Sequence, residues 1–294
     1  FKVNLAAFDR LNKEKLSGLN EFKRRDHQVG VASVQWDDFL FPGFNVLPNL
    51  VVNHDGVLAG TLEAYYIGFT SNGRLGPLNV NSAVYYVFGD TANNTPTKRS
   101  QGIEAGMVFA QAAYPISFLT PRFAIVWASG DGDPGDDRAT GFDSVFDNVN
   151  FGGGQFSYLF GEKIQLGATT IFRGNSVFPS LRGANATSQF VNPGVLALNP
   201  GIDVAVTPTV TLEANANYVR FDDTSSLTGL SGGRSVSAEV GWEVNSGVTY
   251  RPFLNEQVIV FAGAAVFVPG HGIKDLFGSD EPVYKALIRL LLTF

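Results

Sequence analysis

Tyr284-Lys-Ala-Leu-Ile-Arg-Leu-Leu-Leu-Thr-Phe294 is the stretch that decides the fold class. Tyr284, Ala286, Ile288, Leu290, Leu292 and Phe294 fall on one side of an extended chain, and Lys285, Leu287, Arg289, Leu291 and Thr293 on the other. Successive side chains of a strand point to opposite faces, so one face suits hydrocarbon and the other water. The same split separates Val236, Ala238, Val240, Trp242, Val244, Ser246, Val248 and Tyr250 from Glu239, Glu243, Asn245, Thr249 and Arg251. It also separates Val210, Leu212, Ala214, Ala216 and Tyr218 from Thr211, Glu213, Asn215 and Asn217. A soluble β-sandwich alternates too, but it buries its apolar face in a finite core. Here the apolar face ends in aromatics while its opposite carries charge, as in a barrel whose outside meets lipid.

Working outward from that strand, segments of this period predict strands near 1–9, 27–38, 43–53, 57–70, 77–89, 101–113, 117–129, 155–160, 163–173, 193–206, 209–221, 235–250, 256–268 and 283–294. The fold class is all-β: an antiparallel transmembrane β-barrel with about fourteen strands. Short links at 40–42, 114–116, 161–162, 207–208 and 252–255 alternate with long ones at 11–26, 91–100, 130–154, 174–192, 222–234 and 269–282. Short turns at one end and long loops at the other mark outer-membrane barrels. The short link at 54–56 is an exception on the long side. No composition shift or repeat divides the chain, so residues 1–294 read as a single barrel domain.

Composition agrees. The 294 residues are 45% hydrophobic and 13% aromatic but only 16% charged, which does not furnish an ordinary charged surface. Mean hydropathy is only +0.07, and the longest apolar stretch, 258–269, is far short of the roughly 20 residues of a spanning helix. Cysteine is absent, which excludes disulfides, thiol nucleophiles and thiolate metal sites. A net charge of −6 argues against a nucleic-acid partner. The chain opens at Phe1 without an initiator Met, so an upstream segment is expected.

The terminal strand resembles the C-terminal signal read by the barrel assembly machinery of bacterial outer membranes. Ala128-Ser-Gly-Asp-Gly-Asp-Pro134, Ala139-Thr-Gly-Phe-Asp143, Phe146-Asp-Asn148 and Phe151-Gly-Gly153 resemble the alginate-export-like family of outer-membrane barrels, as do Phe190-Val-Asn-Pro-Gly194, Tyr218-Val-Arg-Phe-Asp222 and Tyr250-Arg-Pro-Phe253. The resemblance spans most of the chain. It implies a bacterial outer-membrane location, contact with lipid and lipopolysaccharide, and further strands upstream that would bring the barrel to sixteen or eighteen. Its namesake function is passive export of an acidic polysaccharide through a lumen rich in Lys and Arg. This chain departs from that pattern. The residues expected to line the pore are Lys2, Arg122, Lys163, Arg173, Arg251, Lys285 and Arg289, but also Glu63, Glu104, Asp203, Glu213, Glu239 and Glu243. A polyanion track needs one sign of charge to focus its field.

The expected function is therefore an outer-membrane pore, a passive transporter or exporter of hydrophilic solutes with polysaccharide among them. The alternative is a structural barrel that anchors or sheathes a surface protein assembly; a single inward-folded loop would favour it by closing the water path. Asp131, Asp133, Asp136 and Asp137, with Asp143, offer hard oxygen ligands for Ca²⁺, against the plainer reading of a solvated acidic loop. Gly130, Gly132 and Gly135 match G-x-G-x-x-G, but the intervening carboxylates would repel a pyrophosphate. His27 and His54 neighbour Asp26 and Asp55, yet strand neighbours point to opposite faces, so a hydrolase would require a carboxylate from another strand. No enzyme activity is expected. Trp36, Trp127, Trp242, Tyr66, Tyr86, Tyr218 and Tyr284 read as wall and interface aromatics, with carbohydrate stacking the alternative for any that face inward, notably Tyr65 and Tyr85.

Overall fold

The computed structural model describes residues 1–13, 22–58, 60–94, 97–145, 151–167, 169–182, 190–254 and 257–293. Twelve strands follow one another as neighbours in a single antiparallel wall: β1 (Lys2–Lys13), β2 (Phe22–Gln35), β3 (Phe44–Leu58), β4 (Gly60–Leu75), β5 (Leu78–Asn94), β6 (Arg99–Ala113), β7 (Leu119–Ala128), then β12 (Val195–Thr207), β13 (Val210–Arg220), β14 (Glu239–Tyr250), β15 (Val258–Pro269) and β16 (Val283–Leu292). The two-residue β8 (Arg138–Ala139) pairs parallel with β6. A separate sheet holds β9 (Lys163–Leu166), β10 (Thr169–Arg173) and β11 (Pro179–Arg182). A short helix, α1 (His271–Phe277), follows β15, and no helix among the described residues is long and apolar enough to cross a membrane.

The tight hairpins gather at one end. Leu75 faces Leu78 across Gly76 and Pro77, with Gly76 at φ 60°, a conformation glycine adopts without a Cβ clash. Thr207 faces Val210, and its hydroxyl accepts the N–H groups of Thr209 and Val210 at 3.3 and 3.0 Å. Strands β3, β4 and β5 run to 15, 16 and 17 residues, well past the roughly 10 that cross hydrocarbon. The link expected at 54–56 is corrected: these residues belong to β3, which runs on to Leu58 opposite Gly60 of β4.

Two expected wall strands are corrected. Residues 155–160 form a 3₁₀ turn (Gly154–Phe156) and an irregular continuation, while 163–173 folds back on itself as β9 and β10. Both belong to an insert between β7 and β12 that lies inside the wall. Its Phe142, Phe151, Leu159, Phe160, Phe172, Phe178 and Phe190 are buried against inward residues of the wall such as Ala64, Val87, Ala124, Val126 and Val219. The wall grips the insert from both sides. On β4 the Tyr66 hydroxyl donates to the Asp143 carbonyl at 2.8 Å. On β16 Lys285 donates to the carbonyls of Gln155 and Ser157 at 2.8 and 2.9 Å.

The outer face carries the apolar residues read from the sequence. Tyr284, Ile288, Leu290 and Leu292 on β16 are exposed, as are Trp242 and Val244 on β14 and Leu212 on β13. At the start of β14 the alternation breaks: Gly241 takes φ 139° and the ladder to β13 slips there, so Val240 and Val236 are buried at the loop end instead of facing outward. Ile288→Lys is expected to destabilise the barrel in lipid vesicles by about 2–4 kcal/mol. Leu287→Lys, pointing inward one residue away, is expected to cost much less in the same denaturant titration.

Candidate functional site

The lumen has two unlike halves. Along β12, β13 and β14, together with Arg122 near the turn end of β7, most inward positions are polar. Arg122 donates through Nε and Nη2 to Asp203 at 3.2 Å and through Nη1 to Asn199 at 3.2 Å. Asp203 faces Glu213 across the β12–β13 ladder. Asn199 donates to Asn217 Oδ1 at 2.9 Å, and Asn215 to Asn245 Oδ1 at 2.9 Å. Asn217 and Asn245 each direct one amide hydrogen to Glu243 Oε1, at 3.0 and 2.8 Å, and another to the Gly152 carbonyl, at 2.8 and 2.7 Å. Glu243 Oε2 accepts the Leu159 N–H at 2.7 Å.

The insert is thus hydrogen-bonded to the polar half of the wall, and two glycines complete the seat. Gly247 and Gly263 face each other on β14 and β15, and a Cβ at either would collide with the Phe156 ring. Tyr158 stacks on Phe267 of β15 with ring centroids 6.0 Å apart. Lys285 is ion-paired to Glu162 at 2.8 Å, and Arg289 donates to Gln155 Oε1 at 2.9 Å while lying over the Phe261 ring.

Along β3 to β7 the inward positions are mostly apolar: Leu62, Ala64 and Tyr66 on β4, Ala83, Tyr85 and Val87 on β5, and Ile103, Ala105, Met107 and Phe109 on β6. Between this half and the insert lies a cavity of about 460 Å³. Its floor is formed by Thr70, Asn81 and Gln111, and its roof by Phe142, Phe151 and Phe178 of the insert.

Of the residues expected to line the pore, Arg122, Asp203, Glu213, Glu243, Lys285 and Arg289 occupy inward positions of the wall. Lys2 lies on the inward face of β1 opposite Gln35, exposed. Lys163 and Arg173 sit on the insert, paired across β9 and β10, with Arg173 Nη2 3.5 Å from the Ser144 hydroxyl. Glu239 is at the loop rim, 3.0 Å from His271, and Arg251 is in the turn after β14, its N–H donating to Thr209 O. Glu63 and Glu104 are corrections. Both face outward near the loop end, because the apolar alternation of β4 and β6 turns toward the insert. Glu63 lies 3.4 Å from His54, and Glu104 accepts from Arg138 at 2.8 Å.

The aromatics at 65 and 66 exchange roles. Tyr66 is buried inward, whereas Tyr65 stacks on Phe88 with centroids 5.4 Å apart on the outer face. Tyr85 does face the lumen, accepting from Asn49 Nδ2 at 3.0 Å. Each histidine faces a carboxylate of a neighbouring strand, His27 that of Asp55 on β3 and His54, at 3.4 Å, that of Glu63 on β4. His27 bridges Asp55 of β3 at 3.7 Å and the Asn53 amide oxygen at 3.0 Å, so both ring nitrogens face structural partners.

The acidic loop does not converge on one point. Asp133 accepts the Gly135 N–H at 3.0 Å and Asp136 the Arg138 N–H at 2.8 Å. Among the described residues no three His, Asp or Glu side chains are grouped to hold a metal ion. Asp131 is buried, and that desolvation, with Asp136 and Asp133 nearby, raises its pKa from 3.8 to about 6. This burial is not legible in the local sequence, because the loop is held, by the Asp131 N–H donating to Asn192 O, against a segment some sixty residues further along the chain.

No family model matches the chain, and no curated protein matches it. Solved structures similar to it include the NanC porin, 8% identical with a TM-score of 0.36 over 99% of both chains. Another is OccK5 (OpdH) of Pseudomonas aeruginosa, 11% identical with a TM-score of 0.46 over 97% of this chain and 77% of that one. At such identities the likeness concerns the fold alone, and the resemblance to the alginate-export-like family rests on the residues quoted for it.

Two outcomes follow from this geometry. Because the folded chain holds a proton on Asp131 more tightly than the unfolded chain, the loop loses stability as pH rises from about 4 to 6. Asp131→Asn should remove that slope and leave the loop better protected at pH 7.5, read by amide exchange over 129–143. Gly263→Val should expel Phe156, exposing the insert to protease while the wall stays folded.

Proposed function

We propose that the chain is a bacterial outer-membrane barrel that passes small hydrophilic solutes passively through a lumen narrowed by its own insert. The observation that carries this reading is the division of the lumen: the insert is bonded to the β12–β16 half, and space remains beside β3 to β7. An outer face of exposed aromatic and aliphatic residues, with tight turns gathered at one end, supports the membrane setting, with lipid and lipopolysaccharide as its surroundings.

Charge argues for small solutes over a polyanion. Arg122 is matched by Asp203 with Glu213 beside it, and Lys285 by Glu162, so these lumenal cations present no continuous positive track. Export of an acidic polysaccharide is the finer reading, and these pairings oppose it. Passage requires no bond chemistry, so the reading is of a channel and not an enzyme. A second reading, a barrel that anchors a surface assembly, draws on the same insert taken as a permanent stopper.

Single-channel current in a planar bilayer separates them. The expected result is a small ohmic step for the wild type and steps several-fold larger for the double variant Lys285→Ala, Arg289→Ala, which removes the side chains of β16 that bond the insert. Silence from demonstrably folded barrels of both kinds would overturn the channel and leave the anchoring barrel.

A further inference from the structure

The cavity beside β3 to β7 differs chemically from the rest of the lumen. None of its described lining residues is Asp, Glu, Lys, Arg or His. Its upper part is formed by Met107, Phe109, Phe142, Val177 and Phe178. Its lower part, toward the tight-turn end, presents Thr70, Asn81 and Gln111, the last two facing each other across the β5–β6 ladder. Among the described residues no hydrogen bond engages these three side chains, and the Tyr85 hydroxyl accepts from Asn49 without donating to a protein acceptor.

We propose that this cavity is a binding site for an uncharged amphipathic small molecule, with an aromatic or aliphatic body and a hydroxyl-bearing end. The inference rests on the channel reading and names the solute class that the channel would select. The body would pack under Phe142 and Phe178, where burial of apolar surface is favourable. The hydroxyls would exchange hydrogen bonds with Asn81, Gln111 and Thr70 and receive the free proton of Tyr85. A charged ligand of the same shape is rejected, since it would lose its hydration with no counter-charge in the lining.

Two probes that differ by one carboxylate test this. Para-nitrophenyl glucoside is neutral, and para-nitrophenyl glucuronide carries the added charge. Titrating each into the full chain in lipid nanodiscs, the glucoside should bind and the glucuronide at least about tenfold more weakly. Ala83→Phe, which fills the cavity from β5, should abolish glucoside binding while the folded barrel still migrates as such in an unheated gel. Tyr85→Phe should weaken binding several-fold without changing the fold. Equal affinity for both probes, no binding of the glucoside, or binding that survives Ala83→Phe would each overturn the site. Current is recorded separately: glucoside binding without conductance refutes the channel and keeps the site, and conductance without binding does the reverse.

Discussion

Glu243 is 1% exposed, and the rest of the lumen is arranged around making that burial tolerable. A buried carboxylate is costly unless donors converge on it, and removing one partner of a buried charge costs about 3–5 kcal/mol. Three donors converge here: the backbone of Leu159 and the amides of Asn217 and Asn245. Each amide spends its second hydrogen on Gly152, and the amide oxygens accept from Asn199 and Asn215. The network continues through Asn199 to Arg122 and Asp203. Wall and insert therefore satisfy one another's polar groups. Neither surface would be stable facing the other's absence, because a half-satisfied buried network is worse than none.

That coupling also explains which parts of the fold were legible in the sequence. On β13 the outer face is apolar and the inner face mostly polar, and on β16 only the inner face carries charge, at Lys285 and Arg289, so a period of two assigns both faces at once. On β4 and β6 both faces are apolar, one toward the outside and one toward the insert. The charged residue then becomes the only cue, and it misleads: Glu63 and Glu104 sit outward near the loop end, where His54 and Arg138 partner them. The same ambiguity exchanged Tyr65 with Tyr66. The insert itself was hidden because Phe156, Tyr158 and Phe160 alternate like a strand while serving as packing for other strands. One signal pointed to it. Gly247 and Gly263 occupy inward positions where strands otherwise place side chains, and a glycine there marks close approach by another segment.

Charge placement follows the same division. The ionisable residues that line the wall cluster on the half that holds the insert, and there they are consumed by pairing: Arg122 with Asp203, Lys285 with Glu162 and two carbonyls. Sequence reading expected Arg122, Asp203 and Lys285 to face inward and Glu162 to lie in a short link, and it gave no account of their pairing, since the partners come from strands and loops far apart in the chain. A lumen can thus be rich in charged residues and still present little net field to a solute, because hydrogen-bonded pairs cancel at short range.

The two halves also differ in what movement they permit. Detaching the insert from β12–β16 would leave the buried Glu243 and the amides of Asn217 and Asn245 short of donors and acceptors, so that contact resists displacement. Against β4 to β7 the insert is held at the loop end by the short β6–β8 ladder and by the Gln101 amide, which donates to the Asp136 and Arg138 carbonyls, and deeper in the lumen by apolar packing of Phe142, Phe178 and Phe190 with the Tyr66 hydroxyl bonded to Asp143 O. Apolar contacts are non-directional and tolerate sliding. The part of the insert least constrained in direction is consequently the aromatic roof of the cavity beside β3 to β7, formed by Phe142, Phe151 and Phe178, while the polar half and the β6–β8 ladder fix the rest.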